Sequence, residues 1–124
     1  AQILYDKGCR IVAVSDYSGG VYNEDGLDIP AIRAFLSDKT KALIDYVSDN
    51  VEHITNDQVI TCCCDVLIPA ALENQITGDN AAGVRARVII EAANGPTTVE
   101  AGGKRRGGCA RYPGQCRRRG CILF

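Results

Sequence analysis

Three short apolar runs, separated by longer polar segments, constrain the fold of this chain more than any other feature. They are RIVAVSD at residues 10–16, DVLIPAA at 65–71 and RVIIEAA at 87–93. Short, uniformly apolar runs of this kind are typical of strands that are buried on both faces of a parallel sheet. The sequence therefore predicts three such strands.

The segments between these runs favour helices. Pro30 is expected to begin a helix, because apolar residues recur at helical spacing from Ile32 to Val47. The trio at 55–57, Thr-Asn-Asp, can cap a short helical turn, and residues 77–86 are predicted to form a further helix. Strand, helix, strand, helix, strand predicts an α/β fold with right-handed crossovers and a parallel sheet.

The composition of the chain changes abruptly after Ala101. Residues 102–124 contain seven of the fourteen Lys and Arg residues and none of the fifteen Asp and Glu residues. The segment is also rich in Gly and Cys and poor in apolar residues, so we expect it to be a disordered basic tail. Residues 1–101 have the apolar content of one small soluble domain, and no apolar run is long enough to cross a bilayer.

The cysteines do not form a metal-binding pattern. Cys62, Cys63 and Cys64 are consecutive, and adjacent residues on a strand point to opposite faces, so they cannot converge on one tetrahedral metal ion. We interpret them, with Cys9, as small apolar residues in a reducing cytosol. The single His53 lies in a polar stretch and is expected to be a solvated loop residue. No metal site is predicted.

Four residues at the carboxyl ends of the predicted strands are candidates for ligand binding, because ligands of parallel sheets lie at that edge. Asp16 could accept hydrogen bonds from a ribose diol and repel a 2′-phosphate. Ala70 and Ala71 are small enough to let a flat ring approach the backbone. Asn94 offers a donor and an acceptor. Each also has a structural interpretation, as a capping Asp, packing alanines and a loop Asn.

The longer stretches around these positions resemble landmarks of the glutamate dehydrogenase cofactor domain, in the right order. They are VAVSDYSGGVYNEDGLDIPA (12–31), ITNDQVITCCCDVLIPAALENQIT (54–77) and IIEAANGPTT (89–98). The motifs PAALENQIT and NGPTT are specific to the glutamate branch of the family. Two positions depart from the usual pattern: Val99 stands where the family has Pro, and Ala92 often corresponds to Gly.

The resemblance implies an incomplete Rossmann-like parallel sheet with flanking helices, spanning residues 1–101, that binds NAD or NADP. In the family, the residue matching Asp16 contacts the adenosine ribose, with the position of Tyr17 beside it. The positions of Ala70 and Ala71 line the adenine side, and that of Asn94 faces the nicotinamide riboside. Asp16 favours NAD, although family members with an acid at this position can use either cofactor.

The resemblance also implies a cytoplasmic homo-hexameric enzyme that interconverts L-glutamate with 2-oxoglutarate and ammonia, with no nucleic-acid or membrane partner. The family's glycine-rich phosphate-binding turn and its catalytic domain would lie upstream of Ala1. We therefore expect no catalysis from these 124 residues alone. A noncatalytic nucleotide-binding or interaction module is the alternative, and a coding sequence extended upstream would distinguish the two.

The basic tail permits three interpretations. If GQCRRRG (114–120) is encoded as GGC CAA TGC CGG CGG CGT GGT, reading from the second base gives ANAGGV, the family's next landmark. This compatibility favours a frameshift, and it would explain the loss of acidic residues and of resemblance together. A second possibility is a polybasic prenylation site ending in Cys-Ile-Leu-Phe at 121–124. An unrelated native tail is the third, for example a nucleic-acid arm, although the segment has few aromatic residues for stacking.

Overall fold

A six-stranded sheet organises the chain in the computed structural model, which describes residues 1–71, 73–93, 95, 97–104 and 120–123. The strands are β1 (Ile11–Asp16), β2 (Gly19–Tyr22), β3 (Glu52–Ile54), β4 (Val66–Ile68), β5 (Val88–Ile89) and β6 (Cys121–Leu123). Their order across the sheet is β3-β2-β1-β6-β4-β5. The helices are α1 (Gln2–Asp6), α2 (Ile29–Phe35), α3 (Asn56–Thr61) and α4 (Val99–Lys104).

Side-chain caps determine where α2 and α3 begin. The Asp28 carboxylate accepts a hydrogen bond from the Ala31 N–H at 3.0 Å, and Pro30 lies in the first turn of α2. The Thr55 hydroxyl accepts from the Gln58 N–H at 3.2 Å, while the Gln58 side chain accepts from the Thr55 N–H at 2.9 Å. This reciprocal pair is a capping box, so the predicted helical turn at 55–57 is confirmed.

Of the two longer helices predicted, one is shorter than expected and the other is replaced by a 3₁₀ turn, because polar side chains compete for backbone groups. The helix that begins near Pro30 ends at Phe35, where the Ser37 hydroxyl donates to the Ala34 carbonyl at 2.7 Å. The helix predicted over 77–86 is wrong, and only a 3₁₀ turn at Ala81–Gly83 forms there. Asn80 is the cause, since its side chain accepts from the Thr77 N–H and donates to the Gln75 carbonyl.

The α/β fold class is confirmed, but the sheet is mixed rather than wholly parallel. β1 pairs with β2, and β2 with β3, in antiparallel ladders. The other ladders, β1 with β6, β6 with β4 and β4 with β5, are parallel. Strand β1 turns directly into β2 through the two-residue loop Tyr17–Ser18, and short loops of this kind join antiparallel strands.

Strand β6 corrects the expectation of a tail that is disordered throughout. Its three residues lie in the middle of the sheet, between β1 and β4. The run Cys-Ile-Leu is apolar, and β1 and β4 offer it backbone hydrogen-bonding groups on both sides. An average over the composition of 102–124 conceals such a short run. Residues 105–119 and Phe124 lie outside the described residues.

Two buried clusters form the core. One contains the fully buried Val12, Ala13, Val59, Ile60, Cys64, Leu67, Ile76 and Ala101, which join β1 and α3 to β4 and α4. The other contains Ile11, Val21, Leu27, Ile29, Ile32 and Leu43, and it packs α2 against β1 and β2. Both clusters contain side chains of β1, whose first three residues are buried.

Candidate functional site

The carboxyl ends of β1, β4 and β5 lie at one edge of the sheet, because all three strands run parallel to one another. Leu123 of β6 is in register with Val14 of β1 on one side and with Ile68 of β4 on the other. Asp16 and Ala70 each follow their register residue by two positions. Both therefore lie at this edge, Asp16 as the last residue of β1 and Ala70 two residues after the end of β4.

Hydrogen bonds from the loops beside it hold the Asp16 carboxylate in place. Oδ1 accepts from the Ser18 backbone N–H at 2.7 Å and from the Ser18 hydroxyl at 2.5 Å. Oδ2 accepts from the Leu43 N–H at 3.3 Å. A carboxylate has about four acceptor positions, so roughly one remains for a ligand. The Ser18 hydroxyl itself accepts from the Ile44 N–H at 3.2 Å, which joins the hairpin loop to the 3₁₀ turn at Leu43–Asp45.

Asn56, the first residue of α3, supports the same position from the other side. Its side-chain amide donates to the Asp16 backbone carbonyl at 3.2 Å. Its Oδ1 is buried and has no hydrogen-bond partner among the described residues. Because a buried acceptor without a donor is costly, this atom favours a ligand or solvent donor close to the end of β1.

The other predicted site residues differ in how the structure presents them. Tyr17 is 86% exposed beside Asp16. Ala70 and Ala71 are exposed and follow Pro69, whose carbonyl accepts hydrogen bonds from the Ala92 and Ala93 N–H groups at 2.9 and 3.0 Å. These bonds hold the segment after β5 against the end of β4. Asn94, the fourth predicted position, lies outside the described residues.

An open cleft of about 650 Å³ lies further along the segments that follow β4 and β5. Its lining comprises Glu73, Asn74, Gly95, Thr97, Thr98, Val99 and Glu100. The Asn74 N–H donates to the Gly95 carbonyl at 3.0 Å, so the two segments touch at one wall. Glu100 also lines the cleft. Its carboxylate accepts hydrogen bonds from its own backbone N–H and from the Thr98 side chain, and these bonds lower the pKa of Glu100.

The position of Asp16 is predictable from the sequence, whereas the groups that hold its carboxylate were not predicted. The pattern Asp-x-Ser is a local signal, because an Asp side chain often accepts hydrogen bonds from the residue two positions later. Ser18 could have been found in this way. Asn56 is 40 residues from Asp16 in sequence, and the Leu43 N–H is 27 residues away. No local pattern indicates either of these contacts.

Cysteine chemistry differs in part from the expectation of small apolar residues. Cys9 and Cys62 are free thiols, Cys64 is buried in the core, and burial raises the pKa of Cys62. Cys63, in contrast, is disulfide-bonded, so the interpretation of this residue as a free apolar thiol is wrong. Within the described ranges, no group of three or more His, Cys, Asp or Glu side chains could hold a metal ion. No helix in the same ranges combines the length and apolarity needed to span a membrane.

Known proteins resemble this chain over most of its length. The chain is 43% identical over 101 residues to the catabolic NAD-specific glutamate dehydrogenase RocG of Bacillus subtilis, covering 82% of this chain and 23% of that protein. It is 47% identical over 108 residues to the NADP-specific glutamate dehydrogenase of Synechocystis, covering 82% and 25%. The chain thus spans about a quarter of the length of these relatives.

Solved structures and a family model agree with these relatives. The hetero-hexameric glutamate dehydrogenase of Thermus thermophilus superposes with a TM-score of 0.71 at 26% identity, over 83% of this chain and 23% of that one. The Plasmodium falciparum glutamate dehydrogenase gives the same TM-score at 25% identity, over 82% and 24%. Residues 1–113 match the model of the Glutamate/Leucine/Phenylalanine/Valine dehydrogenase family. The chain therefore belongs to this family of amino-acid dehydrogenases.

Proposed function

We propose that residues 1–101 form the adenosine and riboside wall of the NAD(P) site of a glutamate dehydrogenase. The observation that carries this proposal is the Asp16 carboxylate, which ends a buried strand and is held by Ser18 and Leu43 with an acceptor position to spare. The whole protein would oxidatively deaminate L-glutamate to 2-oxoglutarate and ammonia, and the bound cofactor would accept the hydride.

The residues at this edge fit a dinucleotide. The remaining acceptor position of Asp16 suits a ribose hydroxyl, and Asn56 Oδ1 offers a second buried acceptor nearby. Ala70 and Ala71 are small and exposed, so an adenine ring could lie close to the backbone there. Tyr17 would flank the ribose, and the family resemblance would place Asn94 at the nicotinamide riboside.

The proposed cofactor preference is NAD over NADP. Asp16 carries a negative charge at the position where the 2′-phosphate of NADP would approach, and two negative groups this close repel each other. The relatives include NAD-specific and NADP-specific enzymes, so the preference depends on this chain's own residues.

The wider setting is proposed from the family. Among its solved members is a hetero-hexameric enzyme, and we propose that the whole protein forms a homo-hexamer in the cytoplasm, with no nucleic-acid or membrane partner. Residues 1–101 would be the cofactor segment, and 102–124 a sequence altered by a frameshift. Because the chain spans about a quarter of its relatives, these 124 residues alone are expected to show no ammonia-dependent NAD(P)H oxidation.

Titration of the purified chain with NAD⁺, NADP⁺ and ADP-ribose, followed by NMR chemical shifts, tests the proposal. Asp16→Ala should weaken NAD⁺ and ADP-ribose binding at least about tenfold, the equivalent of one lost charge-assisted hydrogen bond. The same variant should narrow the difference in affinity between NAD⁺ and NADP⁺, because the repulsion between the Asp16 carboxylate and the 2′-phosphate is removed.

Two controls separate binding from loop structure. Ser18→Ala loosens the loop but keeps the carboxylate, so it should change the ratio of NAD⁺ to NADP⁺ affinity little. Asp38→Ala removes an exposed carboxylate from another loop and should leave both affinities unchanged. Equal NAD⁺ affinity for the native chain and Asp16→Ala would contradict the proposed role of Asp16.

A further inference from the structure

Strand β6 completes the sheet with residues that are distant in sequence from all of their partners. It pairs with 11–14 on one side and with 66–68 on the other. The Gly120 carbonyl, just before the strand, accepts from the Asp65 N–H at 2.9 Å. β1 and β4 do not pair with each other, so β6 alone fills the one-strand slot between them.

The approach of β6 to β1 is close. Gly120 is buried, and a Cβ atom added to it would overlap Val12 Cγ1. The slot therefore requires glycine directly before the strand. Any copy of the same segment satisfies this requirement and can form the same parallel hydrogen bonds.

The chain between α4 and Gly120 is long enough to reach a second molecule. It comprises residues 105–119, fifteen positions, which can span at most about 50 Å. A small domain is about 30 Å across, so a segment of this length can deliver β6 to its own slot or to that of a neighbouring copy. Exchange preserves the backbone pairing of the strand with 11–14 and 66–68 and costs mainly the loss of translational freedom.

Charge favours the encounter between two copies. Residues 102–124 contain seven basic residues and no acidic one, whereas residues 1–101 contain fifteen acidic and seven basic residues. The basic segment of one copy and the acidic body of another therefore attract each other, and this attraction weakens as salt is added.

We propose that the slot between β1 and β4 is an interface between copies of this chain, and that two chains exchange Cys121–Leu123 to form a reciprocal dimer. The interface is isologous, because each molecule both donates β6 and receives it. This inference does not depend on cofactor binding.

Native mass spectrometry of the full chain under reducing conditions tests the exchange. Unlabelled and ¹⁵N-labelled preparations are each brought to a concentration at which dimer is present, and are then mixed. Dimers of intermediate mass should appear, and the dimer fraction should rise with protein concentration and fall with salt. Reducing conditions exclude dimers that are held by disulfide bonds.

Two variants connect the dimer with β6. Gly120→Ala places a Cβ against Val12 and should abolish the mixed dimer, whereas Gly120→Ala with Val12→Ala removes the opposing methyl groups and should restore it. Should the single variant not fold, the double variant decides alone: it must dimerise as the native chain does. A monomer at every concentration would overturn the proposal. So would a dimer of undiminished strength in folded Gly120→Ala, or a folded double variant that stays monomeric.

Discussion

The two halves of the sheet support their strand ends in different ways. We call residues 11–61 the hairpin half and residues 65–101 the short-strand half. In the hairpin half, the six-residue β1 pairs on both sides, and hydrogen bonds from two loops hold Asp16 at its end. In the short-strand half, β4 and β5 contain three and two residues, and the alanines after β4 are exposed.

Burial explains the difference. The cluster of Ile11, Val21, Leu27, Ile29, Ile32 and Leu43 lies wholly within the hairpin half. The short-strand half contributes Leu67, Ile76 and Ala101 to a cluster that it shares with Val12 and Val59 of the hairpin half. The hairpin half thus has a core of its own, whereas the short-strand half is ordered by contact with it. A ligand at the edge shared by the two halves would therefore contact a preformed surface on the hairpin half. On the short-strand half it would contact a surface whose order depends on the hairpin half.

Leu67→Ala should break this dependence and have the largest effect. Leu67 is fully buried in the shared cluster, and removing such a side chain costs about 2–5 kcal/mol in free energy of unfolding. Urea unfolding measures the loss. Amide exchange should rise at Val66 and Ile68 more than at Val21. The matched control is Val88→Ala on β5, where the side chain is 51% exposed, and a change within about 0.5 kcal/mol is expected.

If Leu67→Ala lowered the protection of amides from exchange equally in both halves, the sheet would unfold as one cooperative unit. This result would contradict the proposed dependence of the short-strand half on the hairpin half. Loss confined to 65–101 would support it.

The difference between the two halves also explains which strand ends could be predicted from the sequence. The end of β1 at Asp16 was predicted correctly, because a buried apolar run and its polar end are local features. The second and third strands were predicted too long. Pro69 has no N–H to donate to a ladder, and β4 ends just before it. β5 has only Val88–Ile89, and Val88 is half exposed. The cofactor role of Asp16 stays a prediction.

Non-local contacts account for most of what was missed. The amide of Asn56 reaches Asp16 across 40 residues, and β6 pairs with strands from two distant parts of the chain. Neither contact leaves a pattern in the residues around it. Asn80 is a different case: its local hydrogen bonds oppose the helix that was predicted over 77–86. The position of Asn80 between Gly78 and Gly83 is a local signal against a helix.

Gly20→Ala tests how tightly the hairpin half is packed. A Cβ on Gly20 would lie 2.5 Å from Val59 Cγ2 and 3.3 Å from Ile54 Cγ1, so β2 or α3 must shift. Overpacking of this kind costs about 1–3 kcal/mol, measurable by thermal or urea unfolding. The double variant Gly20→Ala with Val59→Ala removes the opposing methyl group. Its cost should be less than the sum of the two single costs, and simple additivity would show that the two positions are not coupled.

Thr55→Ala tests how much the N-terminal cap of α3 stabilises the hairpin half. The variant removes the hydroxyl that accepts from the Gln58 N–H, and the loss of such a cap costs about 1 kcal/mol. Amide exchange at Gln58, followed by NMR, should increase before that of β1. Thr55→Ser keeps the hydroxyl and should restore most of the protection. An unchanged exchange rate in Thr55→Ala would mean that packing of Val59 and Ile60 alone holds the helix.

The smallest expected effect compares one exposed acid from each half. Hydrogen bonds from Thr40, with a contribution from Lys41, lower the pKa of Asp38 from its ordinary value of 3.8. Hydrogen bonds from the Glu100 backbone N–H and from the Thr98 side chain lower the pKa of Glu100 from 4.5. A carboxylate with a lowered pKa adds stability above its unfolded-state pKa, and this stability is lost as the pH falls through the folded value.

Urea midpoints measured from pH 6 to pH 3 test this expectation. Asp38→Asn should flatten the fall in stability below about pH 3.8, and Glu100→Gln should flatten it below about pH 4.5, by small amounts because both side chains are exposed. Since α4 depends on the shared cluster, Glu100→Gln should also change amide exchange in 97–101, whereas Asp38→Asn should leave that segment unchanged. If both variants altered exchange in the short-strand half, the loop at Asp38 would be coupled to it, and the two halves would not be separable by charge.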